Sequence, residues 1–494
     1  MLELFFSLAK IAPSFKYSFK LHPPQRQNVM RNNLTQAHKS HLAHIVGDKY
    51  ALDDQENLLK YGQDWSRLFT ASASLVIRPA NTTEVSEVVK YANENQLSIV
   101  PSGGRTGLSG GAVATNNEIV LSLERLNQIF NFNEIDRSVC CGAGVITEQL
   151  QNFAKENGLY YPVDFASAGS SQVGGNIATN AGGIKVLKYG LTRNWVLGLT
   201  VVTASGKILK LNNGLVKNAT GYDLRHLMIG SEGTLGIITE AEMQLTKPPI
   251  EPTVILLGLN GLNDISSLLV HFQSKLDLLA FEFFSQQALD KVLTHRGFKK
   301  PFADNHNFYV LIEFEAYSEQ LMEQALEAFE EAAENEWLSD GIISQSQQQA
   351  KELWQYREGI SESISHYPPY KNDIAVKPSQ VGDFLSQVDQ FVTNNYPDFE
   401  NIWFGHIGDG NLHLNILKPV ELDLEIFKQQ CSNANPEIFR ILQLFNGSIS
   451  AEHGVGLLKK PYLNFSRSEE EITIMKSIKS LFDPNNILNP GKLF

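Results

Sequence analysis

The chain has 494 residues, of which 43% are hydrophobic, and a formal net charge of −13. This length and composition predict a globular protein of about two or three domains with a large buried core. The acidic balance, without a cluster of Lys and Arg residues, argues against a nucleic acid or an anionic membrane as the main partner. The three cysteines, Cys140, Cys141 and Cys431, contain no CxxC pair, so neither a disulfide framework nor a cysteine-built metal site is expected.

The amino-terminal residues 1–35 are predicted to form a basic tail outside the folded domains. Between Leu4 and Gly47 the sequence contains six Lys or Arg residues and no Asp or Glu. This bias is typical of a transit peptide, and a disordered tail is the alternative. We therefore expect a cytoplasmic protein, or a protein of the mitochondrial matrix if the tail is a transit peptide. No apolar run reaches the ~18 residues that a membrane span needs.

The following region alternates strands, helices and glycine-rich segments. A strand is predicted at 75–79, a helix after a threonine cap at 83–96 and a second strand at 97–101. The glycine loop at 103–111 then leads into a strand at 118–123. A Rossmann fold needs its glycines to open a helix, and a P-loop needs a GKS or GKT tripeptide, so neither is indicated. Consecutive backbone N–H groups in such a loop instead indicate another kind of phosphate-binding site.

Two more glycine-rich segments follow, at 174–183 and 230–239, separated by a strand-like run at 196–203. Small residues allow a backbone to lie close against a flat ligand. One glycine loop alone is usually an ordinary turn. Three such segments in one region favour a single extended cofactor that lies across several loops.

Beyond Pro248 the sequence has an α+β pattern. The strands are predicted at 253–259, 308–314 and 373–376, and the helices at 264–276, 318–337, 347–366 and 468–481.

Histidines and a carboxylate stand in two glycine-rich segments near the carboxyl end, GHIGDGNLHLN at 405–415 and AEHGVG at 451–456. The glycines and the aspartate between the first two histidines disfavour a helix, so these histidines should flank a tight loop, with His413 and Asn415 on one face of a strand. Two imidazoles and one carboxylate suit a divalent ion such as zinc with an open coordination position. A pair of ordinary core or surface histidines is the alternative.

From about residue 60 to the carboxyl end, these motifs resemble those of the FAD-linked D-2-hydroxyacid dehydrogenases, a family of the vanillyl-alcohol-oxidase superfamily. The motifs that carry the resemblance are the glycine loop at 103–111, the run at 174–183, GYDL at 221–224, GSEGTLGIIT at 230–239, HIGDGNLHLN at 406–415, AEHGVG at 451–456 and NPGK at 489–492. The most similar subgroup contains D-2-hydroxyglutarate dehydrogenase, D-lactate dehydrogenase and the glycolate oxidase flavin subunit.

The resemblance implies an α+β fold in three parts. A PCMH-type FAD-binding domain of two α+β subdomains is expected at 36–248, and a substrate domain with an antiparallel sheet at 249–450. A helical carboxyl-terminal segment at 451–494 is expected to return to the flavin. Because residues 101–111 contain neither His nor Cys, the FAD should be bound noncovalently.

By the same matching, a set of backbone and small-residue positions should bind FAD. These are Pro101, Ser102, Gly103, Gly104, Arg105, Thr106, Gly107, Gly110, Gly174, Gly175, Asn176, Ala178, Thr179, Gly236, Ile238 and Asn489.

The resemblance also implies the roles of the polar residues. The metal ligands, for Zn²⁺ or another divalent ion, would be His406, His413 and Glu452. His453 would be the catalytic base that takes the hydroxyl proton as hydride passes to the flavin. Four further residues match positions that hold a substrate carboxylate, namely Arg357, Ser361, Lys371 and Asn415.

Arg357 and Ser361 are four residues apart in a predicted helix and should therefore share one face. The alternative for Arg357 is a surface ion pair with Glu352 or Glu362.

The expected reaction is the oxidation of a D-2-hydroxy acid to the 2-oxo acid, with D-2-hydroxyglutarate as the first candidate. The alternatives are a D-lactate dehydrogenase, a glycolate oxidase flavin subunit, and a flavin-binding subunit of a larger complex without activity of its own. The expected partners are the small 2-hydroxy acid and an electron acceptor, either an electron-transfer flavoprotein or a quinone. A homodimer is the candidate assembly.

Overall fold

The computed structural model describes residues 33–250 and 252–494. The basic tail predicted at 1–35 therefore lies outside the described residues, apart from its last three positions. Helices and three sheets make up the described part, which confirms the α+β fold class. Within it, no helix is both long enough and apolar enough to cross a membrane.

The described residues form sixteen strands, which are β1 (Ala51–Leu52), β2 (Ala73–Ile77), β3 (Ile99–Ser102), β4 (Glu118–Ser122), β5 (Ile129–Asn133), β6 (Ser138–Gly142), β7 (Val196–Val202), β8 (Ile208–Leu211), β9 (Ile237–Gln244), β10 (Pro252–Leu259), β11 (Leu278–Ser285), β12 (Phe308–Glu315), β13 (Asp340–Ile343), β14 (Tyr370–Ala375), β15 (Glu400–His406) and β16 (Asn411–Leu417).

The same residues form fifteen α-helices, which are α1 (Gln36–Val46), α2 (Gln55–Gly62), α3 (Thr82–Glu94), α4 (Thr147–Glu156), α5 (Val173–Thr179), α6 (Val186–Tyr189), α7 (Arg225–Met228), α8 (Ile265–Lys275), α9 (Gln286–Arg296), α10 (Glu319–Glu334), α11 (Gln347–Glu358), α12 (Ile360–Ile364), α13 (Val381–Asn395), α14 (Leu424–Leu444) and α15 (Glu469–Phe482).

The first sheet has the strand order β1-β2-β4-β3, and β4 runs parallel to both β2 and β3. Helix α3 returns the chain from β2 to β3 in the same direction, as parallel strands require. The predicted threonine cap of α3 is wrong, because the Asn81 side chain accepts the Glu84 amide at 2.9 Å. Since β3 ends at Ser102, the glycine loop at 103–111 begins at the carboxyl edge of this sheet.

The second sheet has the order β5-β6-β9-β7-β8 and is antiparallel throughout. Helix α5 contains the first part of the glycine run at 174–183, and it packs against β9. A Cβ at Gly174 would lie 2.5 Å from the Ala143 Cβ. The glycine therefore allows a close approach between α5 and the turn that follows β6, which no side chain would permit.

The third sheet has seven strands in the order β13-β10-β12-β11-β15-β16-β14, all antiparallel. On one face, side chains such as Phe283 and Trp403 pack with α8, α10, α13 and α14 in a large apolar core. On the other face, Phe284 and Phe404 pack with α9, α11 and α12 in a smaller core. The rest of this second face carries polar side chains instead.

The helix predicted at 347–366 is two helices, because it breaks at Gly359 between α11 and α12. A Cβ at this glycine would lie 2.8 Å from the Gln355 carbonyl oxygen. The break separates Arg357, which is buried at the end of α11, from Ser361, which is exposed on α12. Arg357 and Ser361 therefore differ in burial, although Gly359 between them keeps helical φ and ψ angles of −68° and −13°.

The carboxyl-terminal segment returns to the first sheet. After α15, the Ile99 amide donates to the Ile487 carbonyl at 2.8 Å, and the Asn489 amide donates to the Ile99 carbonyl at 2.7 Å. The buried Lys479 ammonium pairs with Asp483 and donates to the Thr234 and Leu488 carbonyl oxygens. These contacts fix the chain end beside the loops that follow β3 and precede β9.

Candidate active site

A cleft lies between the first two sheets and the carboxyl-terminal segment, and the three glycine-rich segments line it. All of the residues predicted to bind FAD line this cleft except Gly110 and Asn489. His453, the predicted base, lines it as well. The remaining lining residues are Ser109, Gly111, Ala112, Leu123, Gln172, Glu232, Gly233 and Ile237.

The lining of the cleft fits an extended ligand with hydrogen-bonding groups. A Cβ at Gly107 or Gly175 would meet no atom within 4 Å, so the missing side chains leave the cleft open. The Gln172 Oε1 atom is buried and has no hydrogen-bond partner, although buried polar atoms are normally paired. A ligand N–H group in the cleft would satisfy it.

The two predicted cofactor residues outside the lining have structural contacts. The Gly110 amide donates to the Asp64 carboxylate at 2.7 Å, and the glycine has a φ of +80°. The Asn489 Nδ2 atom donates to the Gly111 and Glu232 carbonyl oxygens at 2.8 and 2.7 Å. Asn489 thus holds two of the cleft segments together.

Beside the cleft, the polar part of the seven-stranded sheet collects charged side chains from neighbouring strands. Antiparallel pairing sets His413 opposite Asp373, and Asn415 opposite Lys371. Side chains alternate along each strand, so these four residues share one face. His406 ends β15, and the tight loop between β15 and β16 confirms the predicted hairpin around the two histidines.

The predicted metal ligands converge at this face. The Glu452 Oε1 atom lies 3.9 Å from the His406 Nε2 atom and 3.7 Å from the His413 Nε2 atom. Two ligands about 2.1 Å from a tetrahedral zinc ion lie roughly 3.4 Å apart, so small side-chain movements would accommodate an ion. The two nitrogens and one oxygen therefore fit a divalent metal.

A second combination of residues also converges there. Single donor atoms of Asp373, His413, Glu452 and His453 all lie within 4.8 Å of one another. However, the Asp373 Oδ2 atom accepts three backbone N–H groups, and its Oδ1 atom accepts a hydrogen bond from the side-chain Nδ2 of Asn411 at 2.9 Å. Its oxygens are thus already occupied, which favours the set with His406.

Glu282 on β11 orients His406, and sequence reasoning did not predict a role for this residue. Its Oε1 atom lies 2.7 Å from the His406 Nδ1 atom, so the Nε2 atom is left for a ligand. Burial lowers the pKa of His406, but the Glu282 carboxylate outweighs burial and raises it to about 9. The single glutamate in the apolar run LLAFEFFS at 278–285 is the signal that would have found it.

Arg357 is buried and forms an ion pair with the Glu282 carboxylate. Its Nη2 atom lies 2.7 Å from the Glu282 Oε2 atom, and its guanidinium lies 4.9 Å from the centroid of the Phe404 ring. It forms no ion pair with Glu352 or Glu362, so the surface alternative is wrong. The Arg357 Nε atom is buried without a hydrogen-bond partner, as expected of a group that awaits a ligand.

Lys371 and Asn415 extend this polar face on β14 and β16. Burial lowers the pKa of Lys371, and the structure records no ion pair for its ammonium among the described residues. Asn415 is buried next to it. The exposed Ser361, by contrast, is not brought to this face.

The turn at 451–456 is fixed by Asp373, a second residue that sequence reasoning missed. The Asp373 Oδ2 atom accepts the amides of residues 451, 452 and 453 at 3.1, 3.0 and 2.9 Å. Burial raises the pKa of Asp373, but His453, Lys459 and His413 outweigh burial and hold it below its usual range. An aspartate in a predicted strand, at the start of 373–376, was the available signal.

His453 lies between the polar face and the cleft. Its ring stacks on the His413 ring with centroids 5.9 Å apart. Burial lowers the pKa of His453 to about 4, so the neutral imidazole is favoured. A neutral imidazole can accept a proton.

The chain matches two described protein families. Residues 73–212 match the FAD binding domain, and residues 249–493 match the C-terminal domain of FAD linked oxidases. The FAD-binding match supports FAD as the cofactor.

Curated relatives show the family, and solved structures show the same fold. A D-2-hydroxyglutarate dehydrogenase of Stutzerimonas stutzeri is 55% identical over 91% of this chain and 97% of its own length. A D-2-hydroxyglutarate dehydrogenase of Xanthomonas citri is 52% identical over 89% of this chain and 93% of its own length. The structure of p-cresol methylhydroxylase, at 15% identity, shares the fold with a TM-score of 0.73 over 94% of this chain and 98% of its own. The chain therefore belongs to the FAD-linked D-2-hydroxyacid dehydrogenase family of FAD-dependent oxidoreductases.

Proposed function

We propose that this enzyme oxidises D-2-hydroxyglutarate to 2-oxoglutarate with noncovalent FAD and one divalent ion bound by His406, His413 and Glu452. The observation that carries the proposal is the position of two adjacent residues. His453 lines the FAD cleft, while Glu452 lies between the two metal-ligand histidines. A substrate hydroxyl bound there would lie near His453 and near the residues that would hold the metal, beside the cleft that would hold FAD.

When bound, FAD accepts a hydride from C2 of the substrate, and the metal acts as a Lewis acid on the 2-hydroxyl. Side chains of the protein would transfer the proton and bind the substrate. His453 accepts the hydroxyl proton at its imidazole. Arg357, Lys371 and Asn415 bind the carboxylates and so fix which face of C2 points to the cleft.

A dicarboxylate suits the charges of this pocket. Arg357 has five N–H donors, of which Nη2 meets Glu282 and Nε has no partner. Lys371 adds a second cation on the same face. Two cationic groups match the two carboxylates of D-2-hydroxyglutarate, whereas D-lactate, the alternative substrate, has only one. We do not assign Ser361 to the substrate, because its side chain is exposed.

The proposal extends to the partners. Each turnover leaves two electrons on the flavin, so an acceptor outside this chain must remove them, and we propose an electron-transfer flavoprotein or a quinone. A homodimer remains part of the proposal. We also propose a cytoplasmic location, supported by the bacterial relatives with 52–55% identity, with the mitochondrial matrix as the alternative if residues 1–35 act as a transit peptide.

The direct test is anaerobic titration of the purified enzyme with a panel of 2-hydroxy acids, in which the flavin absorbance is recorded after each addition. D-2-Hydroxyglutarate should bleach the flavin faster than D-lactate or glycolate, and L-2-hydroxyglutarate should leave it oxidised. Faster bleaching by D-lactate would make this a D-lactate dehydrogenase. If no acid bleaches the flavin, the chain is a flavin-binding subunit without this activity.

His453→Ala should slow flavin reduction at saturating D-2-hydroxyglutarate by roughly 10²- to 10⁴-fold, the usual contribution of a general base. The substrate dissociation constant should change little, because Arg357 and Lys371 remain in place. Stopped-flow absorbance measures both quantities in one concentration series. His44→Ala, which alters an exposed histidine on α1, is the matched control. An unchanged reduction rate in His453→Ala removes the base assignment.

Arg357→Ala should weaken substrate binding, because it removes a charge-assisted hydrogen bond worth about 1.5–3 kcal/mol. If Arg357 binds the distal carboxylate, the dissociation constant should rise more for D-2-hydroxyglutarate than for D-lactate. Arg296→Ala, which removes a more exposed arginine paired with Glu362, should affect neither substrate. Equal weakening of both substrates would place Arg357 at the shared C1 carboxylate and remove the main structural reason for preferring hydroxyglutarate.

A further inference from the structure

The turn at 451–456 is held from two sides by two carboxylates. Asp373 of the seven-stranded sheet accepts the amides of residues 451–453. Glu232 accepts the next amides, with its Oε1 atom 2.8 Å from the Val455 nitrogen and its Oε2 atom 2.8 Å from the Gly456 nitrogen. The first half of the turn is therefore anchored to the seven-stranded sheet and the second half to the segment that precedes β9.

Glu232 belongs to the part of the protein that carries the first two sheets, residues 33–250, which we call the FAD-binding half. It lies in the GSEGTLGIIT segment before β9, is 8% exposed and lines the cleft. Its own backbone is fixed, because its amide donates to the Ala178 carbonyl at 2.8 Å and its carbonyl accepts Asn489 at 2.7 Å. The carboxylate thus reaches the turn from a rigid position.

The backbone of the turn needs this support. Gly454 and Gly456 have φ angles of +77° and +51°, in the left-handed region that favours glycine. Ser109 of the glycine loop donates to the Gly454 carbonyl at 3.0 Å from the same side. Because Glu452 and His453 are adjacent, a small rotation of this turn would move the metal ligand and the base together.

The geometry points to Glu232 as a positioning residue for the oxidation step. By binding the amides of Val455 and Gly456, it holds the turn so that His453 faces the FAD cleft while Glu452 faces His406 and His413. This inference rests on the roles proposed above for Glu452 and His453. It adds a requirement that the FAD-binding half supplies the contact that aligns the base, although Glu232 itself touches no substrate.

The test is Glu232→Gln in the FAD-loaded enzyme. Glutamine has the same size, but its NH₂ group cannot accept a hydrogen bond, so one of the two turn amides loses its acceptor. The flavin reduction rate at saturating D-2-hydroxyglutarate should fall roughly 10- to 100-fold, as for other residues that orient catalytic groups. The substrate dissociation constant should stay unchanged, since Arg357 lies on α11 and Lys371 and Asn415 lie on the sheet, outside the turn.

A second readout is independent of activity. Hydrogen–deuterium exchange of the peptide that contains 451–456 should become faster in Glu232→Gln. Glu118→Gln is the matched control, because Glu118 is also a buried glutamate of the FAD-binding half and accepts a backbone amide, that of Asn116, at 2.6 Å without lining the cleft. It should leave both the reduction rate and the exchange of this peptide as in the wild type.

Gly454→Ala tests the same contact from the side of the turn, and it decides the matter if Glu232→Gln does not fold. A Cβ at this position would lie 3.0 Å from the Glu232 carboxyl group. This variant should again lower the reduction rate without changing the dissociation constant.

Wild-type reduction rates in these variants would overturn the inference. A rise in the substrate dissociation constant as large as the loss of rate would also overturn it, because such a rise indicates a general distortion of the pocket. Failure of the proposed function looks different. In that case no D-2-hydroxy acid reduces the wild-type flavin, and both proposals fall together.

Discussion

The Asp373 carboxylate and the three successive amides that it binds are the interaction on which the site depends. A buried carboxylate is costly unless its hydrogen bonds are satisfied, and here three backbone N–H groups and the Asn411 side chain supply them. The buried Lys459 ammonium lies 3.8 Å from the same carboxylate. This interaction attaches the turn at 451–456 to the sheet that carries His413, and so it decides where Glu452 and His453 lie.

The rest of the site follows from antiparallel register. Alternation along β11, β14, β15 and β16 places Glu282, His406, His413 and Asp373 on one face of the sheet, beside the smaller core that contains Phe284 and Phe404, while the large core covers the other face. The FAD-binding half contributes the backbone of the three glycine-rich segments that line the cleft and the Glu232 carboxylate that binds the turn. The active site is thus complete only where the two halves and the carboxyl-terminal turn meet.

Local signals in the sequence were sufficient for the glycine segments, about half of the strands of the described residues and the histidine hairpin, because each depends on residue types at short spacing. The break at Gly359 was missed, since the apolar pattern continues through it and only the close Gln355 carbonyl reveals the constraint. Glu282, Asp373 and Glu232 were missed for another reason. Each acts on a partner far along the chain, and strand register and the packing of the two halves bring these partners together.

We propose that the turn at 451–456 separates its two functional side chains, so that Glu452 binds a metal and His453 stays uncoordinated at the cleft. Anomalous diffraction at the zinc absorption edge, on crystals of the active enzyme, would locate the metal. We expect one peak about 2.0–2.2 Å from the His406 and His413 Nε2 atoms and a Glu452 oxygen. A peak coordinated by His453 and Asp373 instead, or no peak in crystals whose flavin the substrate still bleaches, would contradict it.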